Sequence, residues 1–211
     1  MARENRQFLG RAVGYVAARG IQQFIDVGAG LPRALNTHDI AQHVNPHARV
    51  AYVDNDPIVI SHARSLLAKS PGVIAVPGDM REPGRILADP GLTELIDLAE
   101  PGCVILSAIL HFADAGKARD VAATFARVVV PGSYLIISCG SGNRSEGENF
   151  TTEYTAARVY IHSLEEILSF FDGLELVPPG VVPVRLWSGD GPALDQEAPT
   201  ATFIGGVGRK P

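Results

Sequence analysis

Only two cysteines stand among 211 residues, and neither belongs to a CxxC pair or a Cys/His cluster. That excludes a disulfide framework and the usual structural zinc sites. Cys103 and Cys139 both lie inside apolar runs, which marks them as core residues. Basic residues do not gather: 18 Lys and Arg stand against 23 Asp and Glu, for a formal charge of −5. A nucleic-acid binder draws most of its affinity from neutralising phosphates, and this chain carries no such footprint. No apolar run reaches the ~18 residues that a membrane span needs. The opening Met1-Ala2-Arg3-Glu4-Asn5-Arg6 is too polar for a signal peptide. These absences lead to the expectation of a soluble cytoplasmic protein whose partner is a small molecule, with neither nucleic acid nor membrane involved. A homodimer is compatible with the sequence and not required by it. The histidines are scattered. His38, His43 and His47 have no acidic residue at metal-ligand spacing, so no metal is expected and these rings are placed on the surface.

What is present is a 46% hydrophobic chain of a length that suits one domain, expected over residues 1–211. Phe8, Ala12 and Val16, with Leu9 and Val13 beside them, predict a leading helix that ends near Gly20. Residues 23–27 then form a short apolar strand that runs into Gly28-Ala29-Gly30. A polar helix from Arg33 to Val44 follows, then a strand over 49–53 ending on Asp54. Asp56-Pro57 is a helix start, since Asp caps free N–H groups and Pro suits the first helical position. That helix carries Ile58, Ala63, Leu66 and Leu67. A third strand over 73–76 ends in Gly78-Asp79, and a looser stretch over 86–96 is helical in pieces. The fourth strand, 103–106, is apolar throughout, as a central parallel strand should be.

A helix over 116–129 leads to a strand over 133–138 and a flexible loop over 140–150. A helix over 151–160 follows. Ser163 and Glu166 have capping-box spacing, which predicts a helix running to Phe171. Strands over 174–177 and 201–207 close the chain, with a Pro/Gly-rich excursion between them. Strand and helix alternate from residue 23 to about 139, which predicts an α/β fold with a parallel sheet covered on both faces.

Ligands of such sheets bind beyond the carboxyl ends of the strands, so the residues there are the candidates. Asp26, Gly28, Ala29 and Gly30 follow the first strand; the glycines permit positive φ and close approach of a ligand to the backbone. Asp54 and Asn55 follow the second, where a carboxylate suits a ribose with two free hydroxyls. Asp79 and Met80 follow the third, able to bond an adenine amino group and pack on its ring. Ser107, Ala108 and His111 follow the fourth.

A dinucleotide is disfavoured. The GxGxxG fingerprint needs glycine where Arg33 stands, and Pro32 removes one N–H from the loop. S-adenosylmethionine has no phosphate and needs no such row of donors. His111 is the candidate general base, because its ordinary pKa lies near neutrality. Tyr154 and Tyr160 fall where acceptors often bind, though packing is the first expectation for both. Asn5 and Arg6 are expected on the solvent side of the leading helix, and Asp26 is expected to organise the glycine loop.

The stretch from Asn5-Arg6-Gln7-Phe8-Leu9 through Phe24-Ile25-Asp26-Val27-Gly28-Ala29-Gly30-Leu31-Pro32 resembles an actinobacterial family of S-adenosylmethionine-dependent methyltransferases. So do Tyr52-Val53-Asp54-Asn55-Asp56-Pro57, Leu110-His111-Phe112, Pro131-Gly132-Ser133-Tyr134 and the closing Gly206-Val207-Gly208-Arg209-Lys210-Pro211. The resemblance implies the class I Rossmann-like sheet of seven strands, order 3-2-1-4-5-7-6, with strand 7 antiparallel. It implies S-adenosylmethionine as cofactor and leaves the methyl acceptor open. Family members usually open with a further helical segment, and its absence before Met1 is expected to leave the cofactor less covered. A rival reading is a regulatory module that binds adenosylmethionine without turnover; a nicotinamide oxidoreductase ranks below it.

Overall fold

The computed structural model describes residues 2–31, 36–67, 70–142, 159–190 and 202–211. Helix α1 (Ala2–Ala17) leads into β1 (Gln23–Val27), α2 (Thr37–Val44), β2 (Arg49–Asp54), α3 (Pro57–Leu67) and β3 (Val73–Pro77). Two short helices, α4 (Pro83–Leu87) and α5 (Pro90–Leu95), precede β4 (Cys103–Ser107). Then come α6 (Ala115–Val128), β5 (Tyr134–Ser141), α7 (Leu164–Ser169), β6 (Glu175–Leu176), β7 (Val182–Pro183) and β8 (Thr202–Arg209).

The sheet order is β3-β2-β1-β4-β5-β8-β6. This is the expected 3-2-1-4-5-7-6 arrangement, with β8 in the seventh position. The first five strands are parallel, and β8 runs antiparallel to β5 from Tyr134↔Arg209 to Ser141↔Thr202. The difference is β7, a two-residue strand that pairs β8 at Val182↔Gly205 and lies in the excursion expected to be irregular.

Alternation along the central strands divides the core in two. Phe24, Ile105 and Ile136 point to the face covered by α1, α2 and α3, together with Trp187. Ile25, Leu106 and Ile137 point to the face covered by α4, α5, α6 and α7. Trp187 is seated edge-on against Phe8 and Tyr15, with ring centroids 5.5 and 5.6 Å away. The Arg11 guanidinium donates to the carbonyls of Trp187 (2.8 Å) and Val184 (2.6 Å), which ties this segment to α1.

Helix starts follow local chemistry. The Ile58 N–H donates to Asp56 Oδ1 at 2.8 Å, and Pro57 occupies the first turn, where a missing donor loses nothing. Ser163 and Glu166 form the expected capping box, although α7 stops two residues before Phe171. Asn36 caps α2, and the expected start at Arg33 lies outside the described residues.

Ile58 is 66% exposed, and the buried face of α3 carries Val59, Ile60 and Ala63. Other expectations change. Gly140 and Ser141 belong to β5 and not to a loop; residues 143–150, most of that expected loop, are outside the described set. So are residues 151–158 of the expected helix over 151–160. Of the histidines expected at the surface, His38 is buried, with Nδ1 2.8 Å from the Tyr52 hydroxyl. Burial lowers its pKa and favours the neutral ring, which can occupy a core position. No described helix is long and apolar enough to cross a membrane.

Close strand contact gives a test of the fold. A Cβ placed at Gly205 on β8 would lie 2.7 Å from the Ile137 carbonyl oxygen and 2.9 Å from Ser138 Cβ. Gly205→Ala is therefore expected to destabilise by about 1–3 kcal/mol, the range for overpacked cores, read as a lower melting temperature.

Candidate functional site

The carboxyl ends of the parallel strands meet around the turn after β1. Gly28 sits at φ +73, and its N–H donates to the Val53 carbonyl at 2.7 Å. A Cβ there would come within 2.5 Å of Ile109, so only glycine fits. The Ala29 N–H donates to the same Val53 carbonyl at 3.2 Å. Gly30, at φ +66, has open space where a Cβ would stand. Its N–H donates to Asp54 Oδ2 at 2.9 Å, while Asp54 Oδ1 accepts from the Asp56 N–H at 2.9 Å. Asp54 therefore joins the first two strand ends and keeps lone pairs for a ligand.

Two clefts open from this turn. One, of about 840 Å³, runs over the ends of β2 and β3, past Asp54, Asn55, Asp79, Met80 and Arg81. The other, of about 750 Å³, runs toward α1, past Arg3, Asn5, Arg6, Asp26, Ser107 and Phe203. Gly28, Gly30 and Ala108 line both. Every strand-end residue singled out in the sequence except His111 thus faces one cleft or the other.

Asp79 is gripped by Arg81, whose Nε donates to both carboxylate oxygens at 2.9 and 3.1 Å. These hydrogen bonds, with the Arg81 charge, hold its pKa below the usual carboxylate range. Asp26 is the opposite case. Burial raises its pKa to about 6, against a hydrogen bond from the Thr37 hydroxyl at 2.6 Å that pulls it down. Repulsion from Asp54 adds to the rise, and Arg6 opposes it.

One expectation is corrected here. Asn5 was expected in solvent, yet it is 8% exposed, and its amide donates to Ser107 Oγ at 3.0 Å. Its own Oδ1 has no hydrogen-bond partner among the described residues. The signal was available: positions 5, 8, 12 and 16 follow helical spacing and share one stripe. His111, the expected base, is 2% exposed and packs against Phe112 and Phe203, with ring centroids at 4.6 and 5.7 Å. Burial lowers its pKa to about 4, aided by the nearby His162, and it lines neither cleft. Tyr160 lines the first cleft, while Tyr154 lies outside the described residues.

The model of one family, described as S-adenosyl methyltransferase, matches residues 1–211. The chain belongs to that family. Two solved structures agree with it along nearly its whole length. A candidate methyltransferase from Thermobifida fusca is 38% identical, with a TM-score of 0.87, over 99% of this chain and 81% of its own. A DUF574 family protein from Streptomyces avermitilis is 37% identical, with a TM-score of 0.85, over 99% and 83%. The N-methyltransferase NodS from Bradyrhizobium japonicum, solved with S-adenosyl-L-homocysteine, shares the fold at 14% identity and a TM-score of 0.58, over 100% and 87%. Among curated proteins, none matches the sequence.

The cofactor of this S-adenosyl methyltransferase is S-adenosylmethionine. The site's residues fit it in kind. Bare glycine backbone faces an open cleft, a carboxylate stands at the end of β2, and groups of both charge signs border the α1 side.

Proposed function

We propose that the protein transfers a methyl group from S-adenosylmethionine to a small-molecule acceptor, with the cofactor lying across the junction of the two clefts. The observation that carries this reading is the pair of clefts itself, which meet at Gly28, Gly30 and Ala108 and differ in their chemistry. In the first, Asp54 and Asn55 would hold the ribose hydroxyls, and Asp79 and Met80 the adenine. In the second, Asp26 and the unused Asn5 Oδ1 would receive the α-ammonium, and Arg6 the α-carboxylate. Ser107 closes the floor between them. When bound, the cofactor supplies a methyl group already activated on a sulfonium sulfur.

The protein's own contribution is then alignment and exclusion of water. Ile109, Phe112 and Tyr160 give the first cleft a largely apolar wall that suits an acceptor with an apolar or aromatic body. His111, buried among aromatic rings, is assigned to packing and not to proton transfer. An acceptor with a free lone pair at neutral pH would need no base at all.

The test is transfer of a radiolabelled methyl group from S-adenosylmethionine to a panel of phenols, carboxylic acids and amines. Labelled product from at least one class is expected. Tight cofactor binding with no transfer to any of them would favour a binding module instead.

A further inference from the structure

Ala108, immediately after β4, lies where the two clefts join, and it is the non-glycine residue of the described set with a left-handed backbone, at φ +56. In that region a Cβ crowds the following carbonyl, so the conformation persists only where its surroundings impose it. The amide of this residue is held by Ser138 on β5. The Ala108 N–H donates to the Ser138 carbonyl at 3.0 Å and to its hydroxyl oxygen at 3.1 Å. Ser138 Oγ is 3.0 Å from Ser107 Oγ, which in turn accepts from the Asn5 amide at 3.0 Å. A polar chain thus runs from α1 through β4 to β5 and ends on the backbone of the cleft junction.

The surroundings are built around that chain. Ser138 is fully buried, and the neighbouring strand β8 presents Gly205 to it, where any larger residue would strike Ser138 Cβ. The Ser138 hydroxyl meets both the Ala108 N–H and the Ser107 hydroxyl.

We infer that Ala108 is a positioning residue for the cofactor and that the Ser138 hydroxyl, steadied by Ser107 and Asn5, holds it in the left-handed conformation. This rests on the placement of the cofactor across the junction given above. Without the hydroxyl, Ala108 relaxes toward ordinary backbone conformations, and only the fraction of molecules that keep the left-handed turn binds well.

The experiment measures S-adenosyl-L-homocysteine affinity by calorimetry for the wild type, Ser138→Ala, Ser107→Ala and the double variant Ser138→Ala/Ala108→Gly. Ser138→Ala is expected to bind about tenfold more weakly, reflecting a binding-competent fraction near one in ten. Glycine adopts left-handed backbone freely, so adding Ala108→Gly should restore affinity to within about threefold of wild type. Ser107→Ala should show a smaller loss in the same direction. A role confined to packing would give no rescue by glycine. Unchanged affinity in Ser138→Ala, or a loss that Ala108→Gly does not restore, would overturn the inference. Absence of binding by the wild type would instead remove the placement on which it rests.

Discussion

Asp54→Ala is expected to weaken S-adenosyl-L-homocysteine binding by about 2–3 kcal/mol, or about 25- to 150-fold. The carboxylate is the charged acceptor at the end of β2, and a hydrogen bond to a charged group accounts for a loss of this size. It also accepts from the N–H groups of Gly30 and Asp56, so its removal loosens the glycine turn. Asp54→Asn keeps one oxygen as a backbone acceptor, turns its NH2 toward the other N–H and loses the charge, so a loss of about tenfold is expected together with a lower melting temperature. Equal affinity in wild type and both variants would place the ribose elsewhere.

The second large effect concerns Asp26. Its pKa is raised from 3.8 to about 6 in the folded protein, so the folded state holds this proton more tightly than the unfolded chain does. Its linked stability is therefore greatest below about pH 4, declines as pH rises from about 4 to 6, and stays lowered above that. At neutral pH the buried charge opposes folding by up to about 3 kcal/mol, since each pKa unit corresponds to about 1.4 kcal/mol. Asp26→Asn removes that charge and can still accept from Thr37. It is expected to raise stability at pH 7 by about 1–3 kcal/mol and to flatten the dependence between pH 4 and 6. The same variant should bind S-adenosyl-L-homocysteine at least about tenfold more weakly, because the carboxylate proposed to meet the ammonium is gone. For the wild type, affinity should fall as pH drops through about 6. A variant that lost stability as well as affinity would mark Asp26 as purely structural.

Much of this arrangement was legible in the sequence. The parallel strands are buried on both faces and read as short apolar runs, and the residues after each run mark the clefts. Asp54 and Asp79 were visible as strand-end carboxylates. Their partners were not: the Gly30–Asp54 bond joins residues that only the β1–β2 crossover brings together, and the Arg81 grip on Asp79 depends on a rotamer. β7 escaped notice because two residues give no periodicity, and its pairing comes entirely from β8. His111 followed from its place just past a strand and its near-neutral ordinary pKa, but there its side chain could turn out to the cleft or into the core; Phe112 and Phe203 hold it in the core. The chain from Asn5 to Ser138 spans three elements, and no local pattern announces it.

The most direct test of the central claim is calorimetric titration of the unmodified protein with S-adenosylmethionine at pH 7.5. Placement across the joined clefts predicts a single site per chain with micromolar affinity, at which S-adenosyl-L-homocysteine competes. No heat of binding, or binding that S-adenosyl-L-homocysteine leaves untouched, would contradict it.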